Sequence, residues 1–299
     1  MRIGSRRSAL ALAQAHLVAQ LLGEGEIVPI ATGGDRGAPA EDKSRWVAEL
    51  EDALLSGRID LAVHSAKDVP GELPEGLSLH GAPERAAAED AICGASGLDE
   101  LGQGARVGTS SIRRLAQLRA VRADLEIVPV RGNVDTRLSK LADPAEGLEA
   151  IVLARAGLQR LGRESEIGSV LDASSFVPAP GQGVIALEGR ADDARAREAA
   201  RAITDTQTFA CLLAERALAR ELDASCHTPL GAYAVPAGCG CLHLRAWVGL
   251  PDGSAWAVDE LLGGFYDPEA LGRDVAARLK LAGAGELLSQ AEEMASLGS

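Results

Sequence analysis

Aromatic residues are scarce, at 3% of 299 positions, which leaves little surface for stacking the bases of a single-stranded nucleic acid. Positive charge is also short. The chain has 30 Lys and Arg against 43 Asp and Glu, a net charge of −13 that excludes sequence-independent binding to a phosphate backbone. No run reaches the roughly 18 apolar residues that a membrane helix needs. The most apolar early stretch, residues 8–22, is interrupted by Gln14, His16 and Gln20. Their spacing leaves one polar face, so the stretch reads as an amphipathic helix rather than a signal-peptide core. The five cysteines (Cys93, Cys211, Cys226, Cys239 and Cys241) are too few and odd in number for a secreted disulfide framework. What is present is ordinary for a globular chain: 46% hydrophobic and 24% charged residues, with length enough for two or three domains. A chain of this size needs neither disulfides nor a metal to fold. The expectation is a cytoplasmic protein.

The first two thirds alternates short β-type runs with helical periods. Residues 2–4, 26–30 and 59–64 read as strands, and 8–22 and 45–56 as helices ending at Gly23 and Gly57. A second cycle follows, with strands at 91–93, 106–108, 125–130 and 151–154 and helices at 110–121 and 135–141. This rhythm predicts α/β domains rich in parallel strands. Pro178, Pro180, Gly181 and Gly183 punctuate the chain as a hinge or crossover. A long helix over 205–221, with no strand before it, opens a different pattern. Three β-type runs (231–234, 242–248, 255–260) and further helices follow, which predicts a third, α+β domain from about Asp205.

The positive charge is concentrated. Between positions 106 and 137 lie seven arginines against three acids, a net +4 inside an acidic chain. Thr109-Ser110-Ser111 sits where a strand gives way to a helix, with Arg113 and Arg114 in the first turn. Arg131-Gly132-Asn133 repeats the arrangement, with Arg137 one turn in. Helix starts at the carboxyl edge of an α/β sheet present free N–H groups to anions, and the planar guanidinium fork suits carboxylate or phosphate. Two such loops predict a ligand with several anionic groups. Arg119 and Arg122 read as solvated helix-face residues.

A second unusual run is Leu61-Ala62-Val63-His64-Ser65-Ala66-Lys67-Asp68-Val69-Pro70, a buried strand that empties into a polar loop. Pro70 holds Val69 extended, so Asp68 is fixed. A carboxylate so placed could stabilise a developing cation or accept a proton; it could also simply pair with Lys67 or cap a turn. His64 reads as a packed residue bonded to backbone. Cys226, in Ala224-Ser225-Cys226-His227-Thr228-Pro229, is an accessible thiol suited to nucleophilic or covalent attachment. Cys226, His227, Cys239 and Cys241 could instead hold zinc, although their spacing does not fit a finger or ribbon. Cys93 and Cys211 read as small buried apolar residues.

The segments RIGSRRSALALAQ, HSAKDVP, VGTSSIRRLAQL, RGNVDTRLSKL, IVLARAGLQRLG, PAPGQG and SCHTPLG, in this order, resemble the porphobilinogen deaminase (hydroxymethylbilane synthase) family nearly end to end. The resemblance implies two periplasmic-binding-protein-like α/β domains flanking a cleft, plus a smaller C-terminal α+β domain. Residues 1–83 with 184–202 would form the first and carry the Asp68 loop. Residues 88–178 would form the second, with the arginine-rich loops, and 205–299 the third. It implies a transferase that condenses four porphobilinogen molecules head to tail, with release of ammonia, onto a dipyrromethane cofactor held by Cys226 through a thioether. The linear tetrapyrrole is then released by hydrolysis. Asp68 would be the catalytic carboxylate. Lys67, Ser110, Arg113, Arg114, Arg131, Gly132 and Arg137 would hold the cofactor. Arg6, Ser8, Gln14, Lys43, Arg160 and Gln182 would meet substrate. No metal is implied. The protein would be a monomer whose product passes to uroporphyrinogen-III synthase.

The sequence departs from the family pattern in two places. A glycine-rich mobile segment with Gly-Lys-Gly is replaced by Ala40-Glu41-Asp42-Lys43-Ser44-Arg45-Trp46, which puts the role of Lys43 in question. The residue before the cofactor cysteine is Ser225 rather than Gly, and His227 follows it. Neither change removes the sulfur. Two other readings fit parts of the pattern: an anion-binding protein of the periplasmic-binding type, and a zinc-dependent enzyme.

Overall fold

The computed structural model describes residues 1–33, 44–225, 228–238 and 240–297. Its first strand, β1 (Arg2–Arg6), leads into α1 (Ala9–Leu22). Ser8 caps that helix by accepting from the Ala11 amide, and Gly23 ends it at a φ of 73°. β2 (Glu26–Ile30), α2 (Ser44–Leu55), β3 (Leu61–Ser65) and β4 (Leu77–Gly81) follow. The chain then crosses into a second unit: β5 (Asp90–Cys93), β6 (Arg106–Gly108), α3 (Ile112–Val121), β7 (Glu126–Val128), α4 (Val134–Ala142), β8 (Ala150–Ala154), α5 (Arg155–Arg160) and β9 (Ser169–Leu171). It returns with β10 (Ile185–Arg190) and α6 (Ala194–Ala202). The last unit comprises α7 (Thr206–Glu221), β11 (Leu230–Pro236), β12 (Cys241–Gly249), β13 (Trp256–Gly264), α8 (Pro268–Leu281) and α9 (Ala284–Leu297).

The two larger sheets have matching architecture. Their orders are β2-β1-β3-β10-β4 and β7-β6-β8-β5-β9. In each, four strands point the same way and the strand in fourth place is antiparallel to both its neighbours. That fourth strand is the one entering from the other unit. The sheets are therefore parallel-rich, as the βα rhythm predicts, with one reversed strand in each. The strand β10 also stands before α7, where the sequence suggests none. Its buried Glu188 and Gly189 break the apolar run that would have announced it.

Apolar clusters fill both faces of each sheet. Ile3, Val18, Leu61 and Leu187 pack on one side of the first, and Leu50, Leu54, Ile59 and Ala62 on the other. Ile92, Val107, Leu118 and Val152 line one side of the second. Burying each large aliphatic side chain contributes about 1.5–3 kcal/mol. The third unit is a three-stranded antiparallel sheet backed by α7 and α8 over Leu218, Leu244, Val275 and Leu279. The α/β pair with a C-terminal α+β domain is the fold class expected.

The two crossovers lie side by side, with the Ala86 amide donating to the Gly183 carbonyl at 3.1 Å. Gly183 has a φ of +85°, and a Cβ there would fall 2.5 Å from the Ala86 oxygen, so only glycine allows this approach. Leu10 of α1 lies 3.7 Å from where a Cβ of Gly157 in α5 would stand, bringing the two α/β units into contact.

Candidate active site between the two α/β domains

β3 delivers a short 3-10 turn, Ala66–Asp68, with Val69 extended behind it as the following proline requires. The half-buried Asp68 carboxylate makes no hydrogen bond or ion pair among the described residues. It lines a cavity of about 60 Å³ with Arg6, Ser8, Gln14, His64 and Ser65. Gln14 is not on the polar face the sequence suggests. It is 2% exposed and its Nε2 donates to Ser65 Oγ at 2.9 Å, fastening α1 to the end of β3. Ser8 uses its hydroxyl as the helix cap.

Beside Asp68, Lys67 Nζ donates to Gln182 Oε1 at 3.4 Å. Burial pushes the Lys67 ammonium down to about 8; Arg114 adds to the effect, and Asp68 opposes it. Gln182 lies on the returning crossover and is 1% exposed. Its Nε2 donates to the Ala88 carbonyl at 2.7 Å and to Asp90 Oδ1 at 2.9 Å.

Asp90 is the hub of the second domain's contribution. Fully buried at the start of β5, it accepts from Arg113 Nη2 at 2.6 Å and from Arg114 Nη2 at 2.7 Å. Arg113 also donates to the Val177 carbonyl and Arg114 to that of Val152. Burial alone would push the Asp90 carboxyl up, but the two guanidiniums outweigh it and hold the group well below the usual carboxylate range. The sequence pattern reads Arg113 and Arg114 as open forks; in the structure both are buried and closed on Asp90. A charged helix turn facing a sheet must be neutralised if it is to be covered, and Asp90 does that. Arg113 Nε remains buried without a hydrogen-bond partner among the described residues.

The more open cations lie around this hub. Arg137, in the first turn of α4, spends Nε on the Gly132 carbonyl at 2.8 Å and leaves its two Nη groups unbonded among the described residues. Burial lowers its hold on the proton, Arg114 adds to this, and the field of Asp68 opposes it. Gly132 has a φ of +122°, and a Cβ there would strike Thr136 at 2.7 Å, so the turn that aims Arg137 requires glycine. Arg160, at the end of α5, donates to the Gly183 carbonyl at 2.7 Å and has no carboxylate to balance it among the described residues. Arg131 and Ser110 are exposed and unbonded among the described residues. Ser111, not Ser110, caps α3. The helix-face arginines are less free than expected: Arg122 pairs with Asp124, and Arg119 reaches the Pro251 carbonyl of the third unit.

The structure thus brings Arg6, Ser8, Gln14, Lys67, Asp68, Gln182, Arg113, Arg114 and Arg137 into one connected region, with Arg160 at its crossover edge. Lys43, Cys226, His227 and Cys239 lie outside the described residues. Cys93 and Cys211 are buried, and burial pushes their thiols up to about 11 and about 12, respectively. Sequence reasoning missed Asp90. An acid opening the apolar run Ala91-Ile92-Cys93 was its only trace. It also gave His64 a backbone partner, whereas its Nε2 lies 2.9 Å from Glu188 Oε2. No described helix is long and apolar enough to cross a membrane.

A family model described as porphobilinogen deaminase, dipyromethane cofactor binding domain, matches residues 1–198, and one described as porphobilinogen deaminase, C-terminal domain, matches 209–281. The porphobilinogen deaminase of Xanthomonas euvesicatoria pv. vesicatoria is 45% identical, covering 97% of this chain and 99% of that one. The porphobilinogen deaminase of Deinococcus radiodurans is 42% identical over 97% and 98%, and that of Alkaliphilus metalliredigens 40% over 96% and 94%. Among solved structures, immunogenic lipoprotein A from Vibrio vulnificus aligns at a TM-score of 0.44 with 12% identity, over 70% of this chain and 96% of that one.

Proposed function

The chain belongs to the porphobilinogen deaminase family, and from that membership we propose that Asp68 is its catalytic carboxylate and that Cys226 carries its cofactor. The protein is a hydroxymethylbilane synthase: it condenses four porphobilinogen molecules head to tail with release of ammonia and frees the linear tetrapyrrole by hydrolysis. Its cofactor is dipyrromethane.

The donor set suits that cofactor. Each pyrrole carries two carboxylates and an N–H. Arg131 and the Nη groups of Arg137 have no acceptor among the described residues, and Asp68 has no donor. When bound, dipyrromethane supplies a pyrrole α-carbon as the first acceptor of a substrate unit. Arg131, Arg137, Lys67 and Ser110 would hold its acidic arms, and Arg113, Arg114 and Gly132 would shape the seat beneath them. Arg6, Ser8, Gln14, Arg160 and Gln182 would meet the incoming porphobilinogen, as would Lys43.

Loss of ammonia from porphobilinogen leaves positive charge on a methylene-pyrrole unit. Asp68 accepts the pyrrole N–H and stabilises that charge. One well-placed group of this kind is worth roughly 2.7–4 kcal/mol. The guanidiniums keep the substrate carboxylates away from Asp68, so that its charge is not spent on them. Elongation past one fixed carboxylate needs relative movement of the α/β domains at the paired crossovers.

The observation that carries this reading is the Asp68 carboxylate, which has no partner among the described residues and shares a cavity with Arg6, Ser8 and Gln14. The intact mass of protein made in a haem-competent host tests it. The expected increment is two pyrrole units, lost in Cys226→Ser; an unmodified parent chain would overturn the reading. We further propose a cytoplasmic monomer whose product passes to uroporphyrinogen-III synthase.

A further inference from the structure

The turn that carries Asp68 rests on a backbone surface that the chemistry above does not use. Asp68 makes no side-chain hydrogen bond among the described residues, so the backbone of the turn Ala66–Asp68 decides where its carboxylate stands. Beyond Asp68 the loop is held from α7, where Arg216 donates to the Pro70 carbonyl at 2.7 Å and to that of Gly71 at 3.0 Å. Ahead of Asp68 it is held by the returning crossover. The Ala66 amide donates to the Val184 carbonyl at 3.0 Å, and Gly181 lies against the peptide that joins Ala66 to Lys67. A Cβ on Gly181 would fall 3.0 Å from the Ala66 carbonyl carbon, the Ala66 Cβ and the Lys67 nitrogen alike. Carbon atoms in ordinary contact stand about 3.5–4.0 Å apart, so it is the bare Cα that lets crossover and turn meet.

The sequence builds this seat from two overlapping turns. The Gln182 amide donates to the Ala179 carbonyl at 2.9 Å, and the Val184 amide to that of Gly181 at 3.1 Å. Each turn has glycine in third place, Gly181 at a φ of +74° and Gly183 at +85°, where the backbone demands it. The two glycines face different neighbours: Gly183 meets the outgoing crossover, and Gly181 meets the turn. The crossover is the more firmly held of the two pieces. The Gly181 amide donates at 2.6 Å to Glu215 of α7, whose side chain is wholly buried. Leu212, one helical turn earlier, shares an apolar cluster with Ala66, Val69 and Val184. Asp68, by contrast, borders the cavity, where there is room to shift. An atom added to Gly181 therefore displaces the turn rather than the crossover.

We propose that Gly181 is a positioning residue. Its bare Cα is the rest against which the Ala66–Lys67 peptide is set, and with Glu215 behind it, it fixes where the Asp68 carboxylate stands in the cavity. The proposal rests on the reading of Asp68 as the catalytic carboxylate.

The test measures cofactor-loaded Gly181→Ala. The added methyl group forces the peptide back by several tenths of an ångström, and a misplacement of about 1 Å can cost on the order of a hundredfold in rate. The expected result is a fall in kcat of about tenfold or more with KM for porphobilinogen held within about twofold, since Arg6, Arg131 and Arg137 are untouched. An alanine that merely loosened the fold would also lower kcat, so the decisive measurement is the combination with Asp68→Ala. If the glycine acts through Asp68, Gly181→Ala should slow the Asp68→Ala enzyme by no more than about threefold further. A larger further loss in the double variant, a smaller fall in kcat in the single one, or a rise in KM alone would each overturn the proposal. Should Gly181→Ala not fold, amide exchange in the parent decides. The Ala66 and Gly181 amides should open as one unit, with protection factors within about tenfold of each other. An Ala66 amide less protected than that would show a turn that moves without its rest, and would end the proposal. Asp68→Ala alone separates the two readings. If that enzyme is slow and Gly181→Ala is not, only the positioning role fails; if it keeps near-parent activity, the role of Asp68 fails first and this one with it.

Discussion

Arg85 on the outgoing crossover and Glu215 in α7 form an ion pair at 2.6 Å, with the Glu215 side chain wholly buried. The same carboxylate accepts from the amides of Gly181 at 2.6 Å and Ala234 at 2.8 Å. Arg85 in turn donates to the Gln182 carbonyl and lies over the Tyr233 ring. One acid thereby ties both crossovers to the third domain, and every lone pair it offers is used. Glu215→Ala should cost about 3–5 kcal/mol, because it leaves Arg85 and two buried amides without their acceptor. Urea unfolding measures it; a loss under about 1 kcal/mol would show that the crossovers are held elsewhere.

Asp68→Ala should fold, retain cofactor by mass and lose at least about a hundredfold in turnover with porphobilinogen. Activity within a factor of ten of the parent would refute the assigned role.

Arg131→Leu and Arg137→Leu remove cations that have no carboxylate partner among the described residues. They should leave thermal stability near that of the parent and lower the fraction of protein carrying cofactor, or stall elongation. Normal loading and product formation by both variants would place the anion clamps elsewhere.

Asp90→Asn tests the hub. It removes the charge that covers Arg113 and Arg114, and should destabilise the protein by about 3–5 kcal/mol. The carboxyl is held well below its usual range in the fold, so its stabilisation is present above about pH 4 and is lost as pH falls further. The parent and the variant should therefore differ in stability at pH 7 and converge in acid. A constant difference across that range would contradict the charge argument.

Lys67 gives a pH dependence on the alkaline side. Its ammonium is pushed down to about 8, so the free site loses this charge as pH rises through that value. For the fold this is relief, since a depressed lysine costs stability at neutral pH and the cost disappears between about 8 and about 10.5. For carboxylate binding it is loss. Cofactor loading or KM should worsen above about pH 8 in the parent, and Lys67→Arg, which stays charged, should flatten that limb.

Much of this was legible in the residues. The run from Leu61 to Pro70 announces a buried strand feeding a fixed acid, and the Ser8 and Gly23 signals bound α1 correctly because capping is local. What the sequence hides are the pairings between distant positions. Arg113 and Arg114 look like open forks until Asp90, more than 20 residues earlier, is seen to close them. Gln14 counts as polar, so helical periodicity assigns it to solvent, whereas Ser65 draws it inward. Glu188 disguises β10 because a buried acid inside a strand contradicts the apolar pattern by which strands are recognised. These failures share a cause: periodicity reports what a side chain prefers on average, and a buried polar partner overrides it.

The exchange of fourth strands has a consequence for how the protein is made. β10 lies between β3 and β4, so the amino-terminal sheet has a gap until residues 185–190 leave the ribosome. During translation the first four strands must wait, unclosed, while the whole middle of the polypeptide is synthesised. The second sheet, whose strands are contiguous in the chain, can be completed meanwhile. Vectorial synthesis thus reverses the order of the domains, and the half that emerges first finishes later.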